Sequence, residues 1–489
     1  MSTQTAKFVE GSTMRHILVM SGTASIGLMA LFVVDLMDML FISMLGQVEL
    51  AAAVGFAGTL TFFSTSVSIG SSIAMGALVS KALGAKKRQY ARQIAASTLV
   101  VAFVISVVVT SIMFVNISEL LAAIGATGFA AERAEAYLQI LLPSSPFIAL
   151  AMVAGAGLRA VGDAKRSMWA TLAGGIINAI LDPLFIFGFG WNVEGAAAAS
   201  VVARFTVLVF SMVPLVRIHD LVGRPQFGIV KEHLPTILAI ALPAIITNTA
   251  TPIGNAIVTT NIAQFGENFV AGFAVIGRIM PVAFAVIFAL SGAVGPIIGQ
   301  NYGAGRLDRV KETLYNALIF VTIYCISVTA ILYMAQGLII SSFSLTGDAA
   351  ILVSAFCSFV ALTFVFNGAL FVANASFNNL GKPFYSTSLN LGKATLGTLP
   401  FVYFGAQWFG ALGVIYGQAA GSILFGIIGI IVLRKHIGDL MTDVIVDVDA
   451  IDPAVKCVTM TPFSSTDVVA AEELPVQQFD LASRNQNVN

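Results

Sequence analysis

Residues 31–46 read LFVVDLMDMLFISMLG, and this otherwise apolar run holds two aspartates, Asp35 and Asp38. An ionised aspartate at the middle of a membrane helix costs roughly 2.5–3.5 kcal/mol even on lenient insertion scales. At i,i+3 the two carboxyls share one helical face and repel each other. A soluble core and a lipid-facing surface would both reject the pair. The stretch therefore reads as a membrane helix facing a polar interior, in which Asp38, with Asp35 beside it, binds and releases a cation.

The rest of the chain suits such a helix. Of its 489 residues 57% are hydrophobic and only 10% charged, whereas soluble proteins carry about 25% charged residues. A crossing needs about 20 apolar residues, and twelve stretches qualify: 17–45, 51–80, 93–115, 134–158, 166–189, 195–216, 236–264, 269–299, 312–337, 348–378, 384–405 and 411–433. Lys and Arg collect at alternate ends of these stretches, for example Lys86, Lys87 and Arg88, then Arg217 and Arg224, then Arg306 and Arg309. The opposite side has only Arg133. The positive-inside rule then puts both termini in the cytoplasm and the protein in a bacterial-type inner membrane. The opening residues, MSTQTAKFVEGSTMRH, lead into a long first span without a signal-peptide cleavage pattern, so a retained first helix is expected.

The two halves echo each other. LGAKKRQYARQ (83–93) answers YGAGRLDRVKE (302–312), and LRAVGDAKRSMWAT (158–171) answers FNNLGKPFYSTSLN (377–390) more loosely. Pro183 and Pro400 fall at matching places in the fifth and eleventh spans. The offset is six spans, an even number, so both copies enter the membrane from the same side. The expected fold is an all-α polytopic membrane protein with two parallel six-helix repeats, related by a pseudo-two-fold along the membrane normal. The corresponding division is 1–16 as an N-terminal segment, 17–216 as the first lobe, 217–235 as a linker and 236–435 as the second lobe. Residues 436–489 form an acidic tail expected to be disordered.

Away from the ends of the spans the only acids are Asp35, Asp38 and Asp182. Asn178 precedes Asp182 by one turn and shares its face. Pro183 lacks an N–H and frees the carbonyl of Ala179. Carboxylate, amide oxygen and freed carbonyl make an oxygen set for Na⁺ or a proton relay. They could instead merely hold helices together, but confinement of all three acids to one lobe favours coupling. Three basic residues also lie in spans. Arg204, four residues after Ser200, is a candidate ion partner of Asp182 or Asp38, while Arg278 and Lys393 either face a cavity or snorkel. Asn248, Thr251 and Asn255 form a polar stripe on the seventh span; Asn367, Asn374 and Asn378 do so on the tenth. Either stripe could line a substrate cavity or bond between helices.

Several classes are disfavoured. Zero net charge argues against nucleic acid, and no G-x-x-x-x-G-K-[ST] sequence provides an ATPase. The four histidines lie outside the spans, and the three cysteines lack metal or redox spacing. No cofactor and no enzyme activity are expected, only H⁺ or Na⁺ as coupling ion, a small organic substrate, surrounding lipid and a monomeric state.

DMLFISMLG (38–46), ELAAAVG (49–55), LRAVGDAKRSMWATLAGGIINAILDPLFIFGFGWNVEGAAAAS (158–200) and IGQNYGAGR (298–306) together resemble the multidrug and toxic compound extrusion (MATE) family. The resemblance covers about 15–435 and implies a twelve-helix, two-lobe secondary transporter. Such a protein exports drugs or metabolites by alternating access, driven by H⁺ or Na⁺. The resemblance also implies an amino-lobe cation site at Asp38, Asn178, Asp182 and Ser200. The NorM-type acids of the seventh and tenth spans, near Thr251 and Asn367, are absent, so the DinF-like arrangement is closer. Lys81 stands where Gln is frequent, opposite Gln300 in the other half. Asp35 and Arg204 are outside the shared pattern. Two rival readings are a lipid-linked saccharide flippase of the same superfamily, suggested by Arg204, Arg278 and Lys393, and a non-transporting receptor or scaffold.

Overall fold

The computed structural model describes residues 6–45 and 48–449, with the side chains of 39, 43, 48, 250–253 and 443–449 outside that description. It divides into two units, 1–433 and 434–489. No strand occurs among the described residues, and eleven stretches are long and apolar enough to cross a membrane. The first three are Thr13–Ser43, Val48–Gly84 and Arg88–Val115. Gly128–Ala160, Ala164–Gly188 and Asn192–Ile218 complete the first half. The second half starts with Phe227–Ala263 and continues with Glu267–Ala283 and Ala285–Gly303, which together make the eighth span. That span is interrupted at Phe284, three residues beyond Pro281, where a ring replaces a backbone donor. Leu307–Ser342 and Gly347–Asn379 follow.

The eleventh apolar stretch, Pro383–Thr442, is 60 residues long and makes two crossings, which brings the total to twelve. It reverses at Gly410, whose φ of 61° and ψ of −142° suit glycine alone. Its two arms touch backbone to backbone. A Cβ on Gly421 would sit 1.6 Å from the Gly397 carbonyl oxygen, on Gly417 2.2 Å from that of Phe401, and on Gly405 2.1 Å from that of Gly413. Each contact steps four residues along one arm and four back along the other, so the arms run antiparallel with one glycine-bearing face between them. Small residues at four-residue spacing let membrane helices approach closely.

The repeat is visible in how the spans pack. In the first half the first span packs on the fifth, and the fourth on the second and third. In the second half the seventh packs on the eleventh, and the tenth on the eighth and ninth, the same wiring six spans later. Across the halves the first span meets the eighth and the second meets the seventh. The second and eighth spans cross at their Lys/Arg-rich ends with matching glycines. A Cβ on Gly84 would lie 2.0 Å from the Gln300 carbonyl oxygen, and one on Gly303 2.0 Å from that of Lys81.

Hydrogen bonds tie the halves together at this basic end. Phe8 N donates to Gln300 Oε1 at 2.9 Å, Gln300 Nε2 to the Ala160 carbonyl at 2.7 Å, and Thr13 Oγ1 to Glu312 Oε1 at 2.7 Å. The linker after Ile218 packs on the third span, where Ser97 Oγ and His233 Nδ1 are 3.0 Å apart and Arg92 pairs with Asp220 at 2.9 Å.

The described part of the second unit, 434–449, belongs to the helix Leu399–Asp449. The expected disordered tail therefore begins as helix. Ile437, Leu440, Met441, Val444, Ile445 and Val448 recur at helical spacing through it. Residues 450–489, the rest of that tail, lie outside the described residues.

Candidate functional site

Asp38 and Asp182 come from different spans and meet at one amide. Asn178 Nδ2 donates to Asp38 Oδ1 at 3.1 Å and to Asp182 Oδ2 at 2.8 Å. An amide NH₂ carries two hydrogens, so one nitrogen can serve both carboxyls. The one-turn spacing of Asn178 and Asp182 makes the second bond, and packing of the first span on the fifth makes the first. Asp182 is 0% and Asn178 4% exposed. Asp182 Oδ1 is buried without a hydrogen-bond partner, an open acceptor beside two carboxyls. Directly after Asp182, Pro183 is followed by a widened π-type turn, Leu184–Gly188.

Ser200 makes no hydrogen bond to Asp38, Asn178 or Asp182 among the described residues. On the fourth span lies Tyr137, a buried residue that the sequence reading missed. Nothing in a lone tyrosine of an apolar helix marks it in sequence. Arg204 does not pair with either aspartate. Its Nη1 donates to the Leu141 carbonyl at 3.2 Å, Ser144 Oγ at 2.8 Å and Ser145 Oγ at 3.4 Å. The fourth span tightens into a 3₁₀ turn at Leu142–Ser144, where Ser145 N–H bonds to Leu142 and the Leu141 carbonyl is taken up by Arg204. Arg204 thus fastens a helix irregularity beside the site. Asp35 is exposed and makes no hydrogen bond or ion pair among the described residues.

The second half holds no comparable cluster. Lys393 Nζ donates to Asn367 Oδ1, joining the eleventh span to the tenth. The eleventh span breaks just beyond it, between Ala394 and Leu399. Arg278 is exposed and unpaired among the described residues. Asn248 donates to its own helix at the Ala244 carbonyl, 2.8 Å away, and Asn255 is exposed. The side chain of Thr251 is outside the described residues. Asn374 Oδ1 is buried without a partner. No group of three or more His, Cys, Asp or Glu among the described residues could hold a metal.

The MatE family profile matches residues 24–184 and again 243–404. The chain belongs to the MatE family. The two matches start 219 residues apart (24 and 243) and end 220 apart (184 and 404), so the profile recognises each lobe separately. Among curated relatives, a FAD transporter of Shewanella oneidensis is 27% identical over 420 residues, covering 84% of this chain and 92% of that one. Multidrug export protein MepA of Staphylococcus aureus is 23% identical over 419 residues, covering 83% and 90%. The Vibrio cholerae MATE transporter VcmN superposes with a TM-score of 0.83 at 22% identity, covering 87% of this chain and 97% of that one, which shows a shared two-lobe fold. The family sets this chain among membrane transporters.

Proposed function

We propose that this transporter is a cation-coupled antiporter that exports small amphipathic compounds in exchange for H⁺ or Na⁺. The observation that carries the reading is the Asn178 amide joining Asp38 on the first span to Asp182 on the fifth. Two carboxyls brought to one nitrogen in a buried site repel when both are ionised, and a proton or a cation between them relieves that repulsion. Binding and release therefore change how the first span can sit against the fifth, the differential interaction that alternating access needs. The unpartnered Oδ1 of Asp182 offers an oxygen to the incoming ion. In this scheme the basic end faces the cytoplasm and the coupling ion enters from the opposite side.

The test is flux in reconstituted vesicles with a pH gradient and a Na⁺ gradient imposed separately, across cationic, neutral and anionic compounds. Asp38→Asn should abolish gradient-driven export while still inserting normally. Full export by that variant would remove the coupling role. A second reading, a flippase for lipid-linked saccharides, draws on Lys393 and Arg278, neither of which has a carboxylate partner among the described residues. Arg204 supports it less, because its Nη1 is engaged by Leu141, Ser144 and Ser145 of the fourth span. Export confined to anionic lipid-linked sugars, with none of cationic dyes, would favour this reading.

A further inference from the structure

At the basic end, away from the aspartate pair, a cavity of about 420 Å³ lies between the second, seventh, tenth and eleventh spans. Both lobes contribute to it. Three polar side chains, Lys81, Thr236 and Asn378, line it without a side-chain hydrogen bond or ion pair among the described residues. Lys81 is exposed, its ammonium resting 4.9 Å from the Tyr302 ring centroid, and it makes no ion pair. Asn378 is 93% buried (7% exposed), lines the cavity and makes no hydrogen bond. Thr236 lines the opposite wall with a free hydroxyl. Asn379, next to Asn378, is by contrast engaged, accepting from Ser80 Oγ at 3.3 Å and donating to the Ala375 carbonyl at 2.8 Å.

Among the described residues no carboxylate lines the cavity; Glu232, one turn before Thr236 on the seventh span, is not among its lining residues. The remaining wall includes Leu78 and Ile240. Asn378 lines the cavity with its amide unengaged, so a ligand there can bond to it. A cation, an amide and a hydroxyl offer hydrogen-bond donors to an anion, and an apolar wall accepts a hydrocarbon body.

We propose that this cavity binds an anionic amphipath, its phosphate or carboxylate head held by Lys81 and Asn378 and its apolar part laid against Leu78 and Ile240. The head could belong to a membrane phospholipid or to a soluble compound from the aqueous side. The proposal does not depend on the coupling ion or on transport, so either can fail without the other.

The test uses the purified full-length protein in dodecyl maltoside, titrated calorimetrically with dodecyl phosphate and, as control, dodecyltrimethylammonium. Saturable binding of dodecyl phosphate alone is expected. Lys81→Gln should weaken it about tenfold or more, the worth of one charged hydrogen bond, while Lys81→Arg should retain most of it. Asn378→Ala should weaken it less than Lys81→Gln. A parallel arm asks by native mass spectrometry whether phosphatidylglycerol, but not phosphatidylcholine, stays bound in a Lys81-dependent way. Dependence in that arm alone identifies a lipid occupant, and dependence with dodecyl phosphate alone a soluble one. Equal behaviour of wild type and Lys81→Gln in both arms would overturn the proposal.

Discussion

Less than one helical turn separates Asp35 from Asp38, yet their surroundings differ. Asp38 reaches Asn178, while Asp35 is exposed and unbonded among the described residues. Asp35→Asn is therefore expected to leave maximal gradient-driven flux within about twofold of wild type, and Asp182→Asn to abolish it; flux in the same vesicles checks both. Arg204 makes a different prediction. Arg204→Leu removes the Nη1 contacts at the fourth-span turn, the shortest at 2.8 Å to Ser144 Oγ, and should cost roughly 1.5–3 kcal/mol, the usual worth of one charged hydrogen bond. Thermal unfolding in detergent would show it, with the ion dependence of any residual flux unchanged. Asp38, Asn178 and Asp182 were legible because carboxylates are rare in apolar spans and a one-turn spacing decides their common face. Tyr137, Ser144 and Ser145 were not, because their relevance depends on where the fourth span lies beside the sixth. The same gap explains Arg204, whose carbonyl and hydroxyl partners lie about sixty residues away in the chain.

Glycines divide the helices into tight and open places, and substitution should divide with them. Gly421→Ala puts a Cβ against the Gly397 carbonyl and should sharply reduce folded yield. Gly254→Ala meets nothing within 4 Å and should be neutral or stabilise by roughly 0.4–1 kcal/mol. Size-exclusion profiles and thermal unfolding of the two variants give the comparison. Asp163 caps the fifth span, accepting from Arg166 N at 3.2 Å and bonding to His219 Nε2 at 2.8 Å. Burial pushes its carboxyl up, but hydrogen bonds from His219 and Arg166 outweigh it and hold the group below the usual carboxylate range. A depressed value stabilises the fold above the ordinary carboxylate range, and that stability is lost as pH falls through the depressed value. Asp163→Ala should thus cost about 1 kcal/mol near neutrality, the usual worth of a cap. The difference from wild type should narrow in strong acid, as followed by unfolding at several pH values. Span positions were readable from apolar length and alternating charge. The break at Phe284 and the register of the last hairpin were not, since both depend on which backbones touch.

At the scale of the whole molecule the two lobes meet through a symmetrical crossing, Gly84 on Gln300 and Gly303 on Lys81. The repeated LGA and YGA motifs announced equivalent positions, but not that the two copies would be each other's contact. Gly84→Val should force the second and eighth spans apart. In a background without the native cysteines, a Ser80→Cys reporter, buried where Gly84 is kept, should then react with a water-soluble maleimide, and protection with either residue at position 84 would count against the Gly84 contact holding the spans together. The last hairpin also bears on how the protein is built. A lysine near the centre of a lone span costs about 2.5–3.5 kcal/mol to insert, and Lys393 precedes a break that exposes backbone as well. The arms that meet through Gly397, Phe401 and Gly405 gain from entering the bilayer as a pair, while Asn367 on the tenth span waits to receive the lysine. On this argument the tenth span is expected to be in place before the final pair leaves the translocation channel.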